Sequence, residues 1–139
     1  MSLQEELLSF ANSVGDMFRR RVAETPDGLA FLDPDRAPEG PNQWTRYTWA
    51  ESRLLVDQLA AGLLARGLSR EQRVGIISTT RLEWILLDLA VACAAGATTT
   101  VYPNTAAGDV EFILEDSGTC VAVVEDAAQL AKVEASPVL

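Results

Sequence analysis

Two short polar segments of this sequence carry the residue types that could bind a ligand. Ser78-Thr79-Thr80 and Tyr102-Pro103-Asn104-Thr105 each follow an apolar run typical of a buried strand, and each precedes a predicted helix. In an open sheet of parallel strands, ligands collect at the carboxyl ends of the strands, and the free amides of a helix N-terminus favour anions. These segments are therefore the candidate binding loops, although ordinary capped turns would show the same residues.

Most catalytic and metal-binding chemistry lacks its usual side chains in this sequence. There is no histidine, which excludes most metal sites, His-based triads and the usual general base. Neither the glycine-rich fingerprint of a dinucleotide site nor a P-loop is present. Cys93 and Cys120 lie singly in apolar segments and are expected to be buried thiols, while Glu115 and Asp116 point to different faces of a helix. We therefore assign no catalytic residue and no metal site to this chain.

The charge of the chain is negative and unevenly distributed. The formal net charge is −9 over 139 residues, and residues 73–139 hold nine acidic but only three basic side chains. Such a surface repels nucleic acid, and a polyphosphate would need backbone amides or residues from elsewhere to bind. The sequence has no basic leader and no run of about 18 apolar residues, so we expect a cytoplasmic protein without a transmembrane segment.

The first part of the chain predicts a helix followed by a β-hairpin. Asn12 or Ser13 can cap the helix, which ends at Thr25-Pro26. Its apolar stripe consists of Val14, Met17, Phe18, Val22 and Ala23. The hairpin strands are predicted at Leu29–Asp33 and at Gln43–Tyr47, on either side of an exposed loop at 34–42.

Capping residues predict where the later helices begin. Thr48–Glu51 and Thr80–Glu83 have the hydroxyl and carboxylate spacing of capping boxes, and Thr105 is predicted to cap the helix that follows it. The glycines predicted to end these three helices are Gly67, Gly96 and Gly118.

The second part of the chain alternates between strands and helices. The predicted strands are Val74–Ser78, Ala97–Tyr102 and Cys120–Val124, and the last helix is Asp126–Ala135. Helix Leu82–Ala95 is apolar nearly all round, so it should be covered on more than one side. Short connections between such elements imply parallel strands with right-handed crossovers.

The predicted fold class is therefore α/β. It consists of half of a doubly wound, mostly parallel sheet, preceded by a helix, a β-hairpin and a further helix. An open sheet edge and an apolar helix favour self-association, so we expect a homo-oligomer of the isolated chain.

Several short sequence motifs, in their order along the chain, resemble those of one enzyme superfamily. The chain is similar to the N-terminal part of adenylate-forming (AMP-dependent synthetase and ligase) enzymes in the motifs RVGIIS, VYPN and FILEDSG, and in PDGLAFL, YTWAE and LAAGLLARGL before them. The likeness extends over roughly residues 13–128, and it is greatest to bacterial long-chain fatty acyl-CoA synthetases.

This resemblance implies an enzyme that activates a fatty acid with ATP and Mg²⁺ as an acyl-adenylate and then transfers it to coenzyme A. The family's Ser/Thr/Gly-rich phosphate loop ending in Pro-Lys-Gly, its adenine- and ribose-binding motifs and its C-terminal lysine are not in these residues. The chain would thus be an inactive N-terminal piece with no cofactor of its own. Residues 1–72 would be the helix, hairpin and helix lead-in, and residues 73–139 a βαβαβα unit of the large N-terminal domain.

The resemblance also implies three residues close to the coenzyme A nucleotide. They are Tyr102, which would stack on the base or form a wall, Asn104, which would make a polar contact, and Thr105, the predicted helix cap. The chain has Tyr-Pro-Asn where some family members have an aromatic residue and two glycines. The implied partners are the remainder of the enzyme, a carboxylate substrate, ATP and coenzyme A, and peripheral membrane association of the whole enzyme stays open.

Two other interpretations of the sequence remain open. One is a different carboxylate-activating ligase of the same superfamily, specific for an aryl, amino or short-chain acid. The other is a stand-alone flavodoxin-like binding or interaction module, for which the missing glycine-rich loop and the acidic second half argue against a nucleotide ligand.

Overall fold

The structure, a computed structural model of the chain, describes residues 12–34 and 43–135. The elements in chain order are α1 (Val14–Glu24), β1 (Leu29–Asp33), β2 (Thr45–Thr48), α2 (Trp49–Ala65), β3 (Arg73–Ile77), α3 (Leu82–Cys93), β4 (Ala97–Val101), α4 (Ala107–Ser117), β5 (Thr119–Val124) and α5 (Ala127–Glu134). Residues 35–42 of the predicted exposed loop lie outside the described residues. The chain divides into two compact units between Leu54 and Leu55, within α2.

The first unit is organised around the indole of Trp49. The ring centroids of Phe18 in α1 and Phe31 in β1 lie 6.2 and 5.9 Å from that of Trp49, both in tilted arrangements. Tilted aromatic pairs at this separation are favourable beyond the apolar area they bury. Strands β1 and β2 pair antiparallel, as the alternating pattern predicted.

Helix α1 confirms the predicted cap but only part of the predicted apolar stripe. The Ser13 hydroxyl accepts the backbone N–H three residues further on at 3.1 Å. Phe18 and Val22 are buried, whereas Val14 and Met17 are 50% and 56% exposed, so the predicted stripe was too wide. The buried residues of this helix are Gly15, Phe18 and Val22, which recur every three or four positions and form one narrow face.

The start of α2 is the capping box that the sequence predicted. Thr48 donates its backbone N–H to the Glu51 carboxylate at 2.8 Å, and the Glu51 N–H donates to the Thr48 hydroxyl at 3.2 Å. These hydrogen bonds, the backbone one foremost, lower the pKa of Glu51 below its ordinary value. The helix is followed by Gly67, which takes the predicted positive φ.

The three-stranded sheet of the second unit is parallel, with the strand order β4-β3-β5. Gly75 of β3 faces Leu114 of α4, while the neighbouring Ile76 lines a groove with Leu87 of α3. Because successive side chains of a strand point to opposite faces, α3 and α4 cover opposite faces of the sheet. The doubly wound arrangement of the prediction is confirmed.

The core on the α4 face joins two helices to two strands. Its buried members are Ile77, Val101, Val110, Leu114 and Val133. Gly75 is required beside them because a Cβ atom there would lie 2.9 Å from Cδ2 of Leu114. This packing fixes the ends of β3 and β4, from which the candidate binding loops emerge.

The buried residues of helix α3 (Leu86, Leu87, Ala90 and Val91) lie on one face and the others are half-buried, and the predicted capping box was wrong. None of its twelve residues is fully exposed. Its N-cap is Arg81, which makes no side-chain capping hydrogen bond, because the helix begins one residue later than a cap at Thr80 requires. The Glu83 carboxylate instead accepts from Nε of Arg81 at 2.8 Å.

The end of α3 and the two thiols also differ from expectation. Ala95, rather than Gly96, takes the positive φ of 59° after the helix. Gly96 is needed for close approach, because a Cβ atom there would lie 3.2 Å from the carbonyl oxygen of Gln72. Cys93 is half-buried, but Cys120 is exposed on the edge strand β5, so the prediction that both thiols are buried was wrong. No helix among the described residues is long and apolar enough to cross a membrane.

Candidate functional site

The two predicted binding loops line one groove at the carboxyl edge of the sheet. The groove has a volume of about 580 Å³ and lies between the loop after β3 and the loop after β4. Its lining residues are Ser78, Thr79, Thr80, Trp84, Thr100, Val101, Tyr102, Pro103 and Asn104. The loops come together because β3 and β4 are adjacent and parallel, with Ile77 opposite Val101.

The structure brings two of the three predicted site residues to the groove. Tyr102 is 80% exposed at its mouth, and Asn104 is also exposed and lines the groove. Thr105 does not line the groove, and its predicted role as a helix cap was wrong. The N-cap of α4 is Ala106, which makes no side-chain capping bond, because the helix begins one residue too late for Thr105 to cap it. The Thr105 N–H instead donates to the carbonyl of Tyr102 at 3.0 Å, which closes a tight turn.

Glu125 occupies the point of the sheet where ligands of doubly wound proteins usually bind. That crevice lies between β3 and β5, whose connections run in opposite directions. Oε2 of Glu125 accepts hydrogen bonds from the Thr79 N–H at 2.7 Å, the Thr79 hydroxyl at 2.7 Å and the Ser78 hydroxyl at 3.0 Å. The Thr79 hydroxyl and amide, followed by Ser78 and the Arg81 charge, lower the pKa of Glu125 against the opposing effect of its burial.

The sequence reasoning missed Glu125, although a signal for it existed. Glu125 directly follows β5, as Ser78 follows β3, and adjacent parallel strands end at the same edge. The Glu125 N–H extends the ladder by donating to the Ile77 carbonyl at 3.2 Å, which sets its carboxylate beside Ser78 and Thr79. An acidic residue at the end of a neighbouring strand could therefore have been paired with the hydroxyl-rich loop.

Lys132, the only lysine of the chain, supports the second loop from α5. Its ammonium donates to the carbonyl of Pro103 at 2.6 Å and to that of Thr105 at 2.9 Å. Carbonyls of a short loop next to a helix start need such donors when they are partly buried. Only its place in the last helix could have suggested this role, because Lys132 lies 29 and 27 residues from its two partners.

A second groove, of about 290 Å³, lies on the α3 face near the carboxyl ends of β3 and β5. Its floor is apolar, formed by Ile76, Leu87 and Val123, and its rim holds the Arg81–Glu83 ion pair. Arg81 and Lys132 are two of the three cations of residues 73–139, so the positive charge of this region gathers at the carboxyl edge.

The groups at this edge can bind a ligand through hydrogen bonds and aromatic contacts. The described lining residues offer hydroxyls, one carboxamide, one phenol and one indole. Within residues 12–34 and 43–135, no three His, Cys, Asp or Glu side chains are grouped so that they could hold a metal ion. Glu115 and Asp116 lie exposed on α4, away from the residues that line either groove.

The chain is similar in sequence to known proteins of one family. A family model described as AMP-binding enzyme matches residues 18–138 of the chain. The chain is similar to the long-chain-fatty-acid–CoA ligase heimdall of Drosophila melanogaster, with 33% identity over 118 residues that cover 85% of this chain and 17% of that protein. It is also similar to the long-chain-fatty-acid–CoA ligase FadD15 of Mycobacterium bovis, with 35% identity over 82 residues that cover 59% of this chain and 14% of that protein.

Solved structures show the same fold. The fatty acyl CoA synthetase of Mycobacterium tuberculosis superposes with a TM-score of 0.76 and 26% identity, over 88% of this chain and 23% of that chain. The present chain therefore spans 14% and 17% of the length of the two curated relatives and just under a quarter of the solved enzyme.

Proposed function

Because the chain belongs to the AMP-binding enzyme family, we propose that it is the N-terminal part of an ATP-dependent ligase that joins a long-chain fatty acid to coenzyme A. The observation that carries this proposal is the 33% identity to a long-chain ligase across 85% of the chain. In the first step of the proposed reaction, the fatty-acid carboxylate attacks ATP, forming the acyl-adenylate and releasing pyrophosphate. In the second step, the coenzyme A thiol attacks the acyl carbonyl, forming the thioester and releasing AMP.

The contribution we propose for this chain is one wall of the coenzyme A site. The exposed ring of Tyr102 would stack on the adenine base, and the carboxamide of Asn104 would donate or accept a hydrogen bond at the same mouth. Thr105 would act through its backbone, which holds the turn that presents Tyr102. The volume of the groove, about 580 Å³, supports a ligand the size of a nucleotide.

ATP, Mg²⁺ and the catalytic residues are assigned to the remainder of the enzyme. Among the described residues no three His, Cys, Asp or Glu side chains are grouped, and we assign the carboxylates that would hold Mg²⁺ to the remainder of the enzyme. The loop 78–80 has hydroxyls but no glycine-rich phosphate cradle. The chain alone is therefore proposed to be inactive, and its main partner is the polypeptide that carries those elements.

The placement of the chain within the enzyme follows from the same proposal. Residues 1–139 would form the first part of the large N-terminal domain, with 1–72 as a lead-in and 73–139 as a βαβαβα unit. The enzyme would be cytoplasmic, and its lipid substrate is compatible with peripheral membrane association. The isolated chain would self-associate through the open edge of β5, an apolar edge strand with a free thiol side chain exposed.

The test compares this chain with the longer protein encoded by the same gene. Fatty-acid-dependent exchange of pyrophosphate into ATP is expected from the longer protein and not from the chain alone. The gene should also encode a Ser/Thr/Gly-rich loop ending in Pro-Lys-Gly within about 100 residues after position 139, the span of a further domain portion. Absence of that loop would refute the proposal.

A substrate panel and a binding measurement separate the two alternatives. Activity with aryl, amino or short-chain acids in place of long-chain ones would assign the protein to another ligase of the family. Calorimetry of the chain with ATP, AMP and coenzyme A should show no binding with a dissociation constant in the micromolar range, which would correspond to a binding free energy of about −8 kcal/mol. Micromolar binding would favour a stand-alone binding module.

A further inference from the structure

Both loops of the 580 Å³ groove are fastened by one short segment of the chain. Glu125 at the end of β5 binds the loop after β3, and Lys132 in α5 binds the loop after β4. The two anchors lie seven residues apart on either side of the N-cap of α5, Asp126, whose carboxylate accepts the Gln129 N–H at 2.9 Å. The capped helix therefore makes a short, ordered connection between them.

The charge of each anchor matches the hydrogen-bonding groups of the loop that it holds. The first loop presents the Thr79 amide and hydroxyl, which are donors, to a carboxylate, while the single hydrogen of the Ser78 hydroxyl is shared between that carboxylate at 3.0 Å and the Thr79 carbonyl at 2.8 Å. The second presents two carbonyls, which are acceptors, to an ammonium. Hydrogen bonds with one ionised partner are roughly twice as strong as neutral ones, so each loop has one preferred position.

We propose that Glu125 and Lys132 are positioning residues that hold the two loops at one separation and so set the width of the groove for its ligand. This inference rests on the proposed function for the identity of the ligand, the nucleotide end of coenzyme A. Neither residue is among those that line the 580 Å³ groove, so their effect passes through Thr79, Pro103 and Thr105.

Amide exchange in the full 139-residue chain tests the positioning without any ligand. Glu125→Ala should raise the exchange rate of the Thr79 amide about tenfold or more, and Lys132→Met should do the same for the Thr105 amide. Glu125→Gln keeps an acceptor and the side-chain shape, so it should give a smaller increase than Glu125→Ala. It replaces the alanine variant in the test if that variant folds poorly. Glu115→Gln, at an exposed glutamate of α4, is the matched control and should change neither rate.

A pH titration separates positioning by the carboxylate from general packing. The charged groups around Glu125 are Arg81 and Glu83 across the second groove and Asp126 next in the chain. Because hydrogen bonds from Thr79 lower the pKa of Glu125, protection of the Thr79 amide in the unaltered chain should persist at the ordinary glutamate pKa of about 4.3 and fall only at lower pH. Glu125→Gln should remove this step, whereas Glu83→Gln should leave it in place.

The ligand arm uses adenosine 3′,5′-bisphosphate, the nucleotide half of coenzyme A, followed by amide shifts at 102–105. Lys132→Met should raise its dissociation constant at least threefold, and Lys132→Arg, which keeps charge and donors, should restore it. Unchanged exchange rates in Glu125→Ala and Lys132→Met would overturn the proposal, as would raised rates with unaltered affinity. Raised rates with no binding by the unaltered chain at millimolar ligand would instead refute the coenzyme A assignment and leave the loop positioning supported.

Discussion

The contact between Gly75 and Leu114 makes a quantitative prediction about the core under the binding loops. A Cβ atom at Gly75 would lie 2.9 Å from Cδ2 of Leu114 and 3.1 Å from Cγ2 of Thr119, both closer than normal packing allows. Gly75→Ala should therefore destabilise the fold by about 1–3 kcal/mol through overpacking. Replacing the completely buried Leu114 by alanine should lower the free energy of unfolding by about 2–5 kcal/mol.

The two substitutions should not be additive. Leu114→Ala removes the atom that Cβ of residue 75 would strike, and the added methyl group would fill part of the space left behind. Gly75→Ala should then cost less than about 1 kcal/mol in the Leu114→Ala background, which corresponds to a coupling free energy of about 1–2 kcal/mol. Urea unfolding followed by far-UV circular dichroism, with equal m-values among variants, measures the four free energies of the cycle.

An exposed leucine provides the matched control for the buried contact between residues 75 and 114. Leu64→Ala removes the same atoms from a side chain that is 52% exposed, so it should cost less than about 1 kcal/mol and should add to Gly75→Ala without coupling. If Gly75→Ala costs the same with leucine or alanine at position 114, the close contact is not what requires glycine there.

Three further predictions concern acid, thiol reactivity and association. Hydrogen bonds lower the pKa values of Glu51 and Glu125, so both carboxylates stabilise the folded state above about pH 4.3, and this stabilisation is lost as the pH falls through the lowered pKa values. Glu51→Gln should therefore reduce the fall in melting temperature at acid pH. Cys120 should react with a disulfide reagent at least tenfold faster than the half-buried Cys93, and equal rates in the two single serine variants would contradict its exposure. Light scattering should show a dimer or larger species that Cys120→Lys on β5 weakens and Ala61→Lys on the exposed side of α2 does not, whereas a monodisperse monomer at high concentration would refute self-association through β5.

The architecture of the second unit could be predicted because its signals are local and repeated. Buried parallel strands are short apolar runs, and an apolar helix such as α3 must be covered on several sides. The alternation of these patterns determines the crossovers, and the crossovers determine which loops meet. The groove between Ser78–Thr80 and Tyr102–Asn104 was accessible to sequence reasoning for this reason.

The helix starts show where local reasoning fails. The box at Thr48–Glu51 formed, whereas the equally spaced Thr80–Glu83 and the hydroxyl of Thr105 did not cap their helices. In both failures the helix begins one residue later than the hydroxyl requires. Glu83 pairs instead with Arg81, two residues earlier, whereas the Thr105 carbonyl accepts a hydrogen bond from Lys132 of α5, so only the second failure involves a partner distant in sequence.

The anchors Glu125 and Lys132 could be predicted to different degrees. Glu125 follows from strand register, since the residue after β5 must lie beside the residues after β3. Lys132 does not follow, because the reach of a lysine from α5 to a loop 27 residues earlier depends on how closely α5 packs, which no periodic pattern encodes.

The position of Glu125 also changes the electrostatic argument drawn from the sequence. The acidic second half was expected to repel polyphosphate as a whole, yet Arg81 and Lys132 both lie at the carboxyl edge. Each is already engaged, Arg81 with Glu83 and Lys132 with two carbonyls, and Glu125 fills the crevice between β3 and β5 with a negative charge. Glu125 therefore disfavours a phosphate in the crevice between β3 and β5, so for the nucleotide proposed above we predict entry between β3 and β4, with its phosphate charge balanced by groups outside residues 73–135.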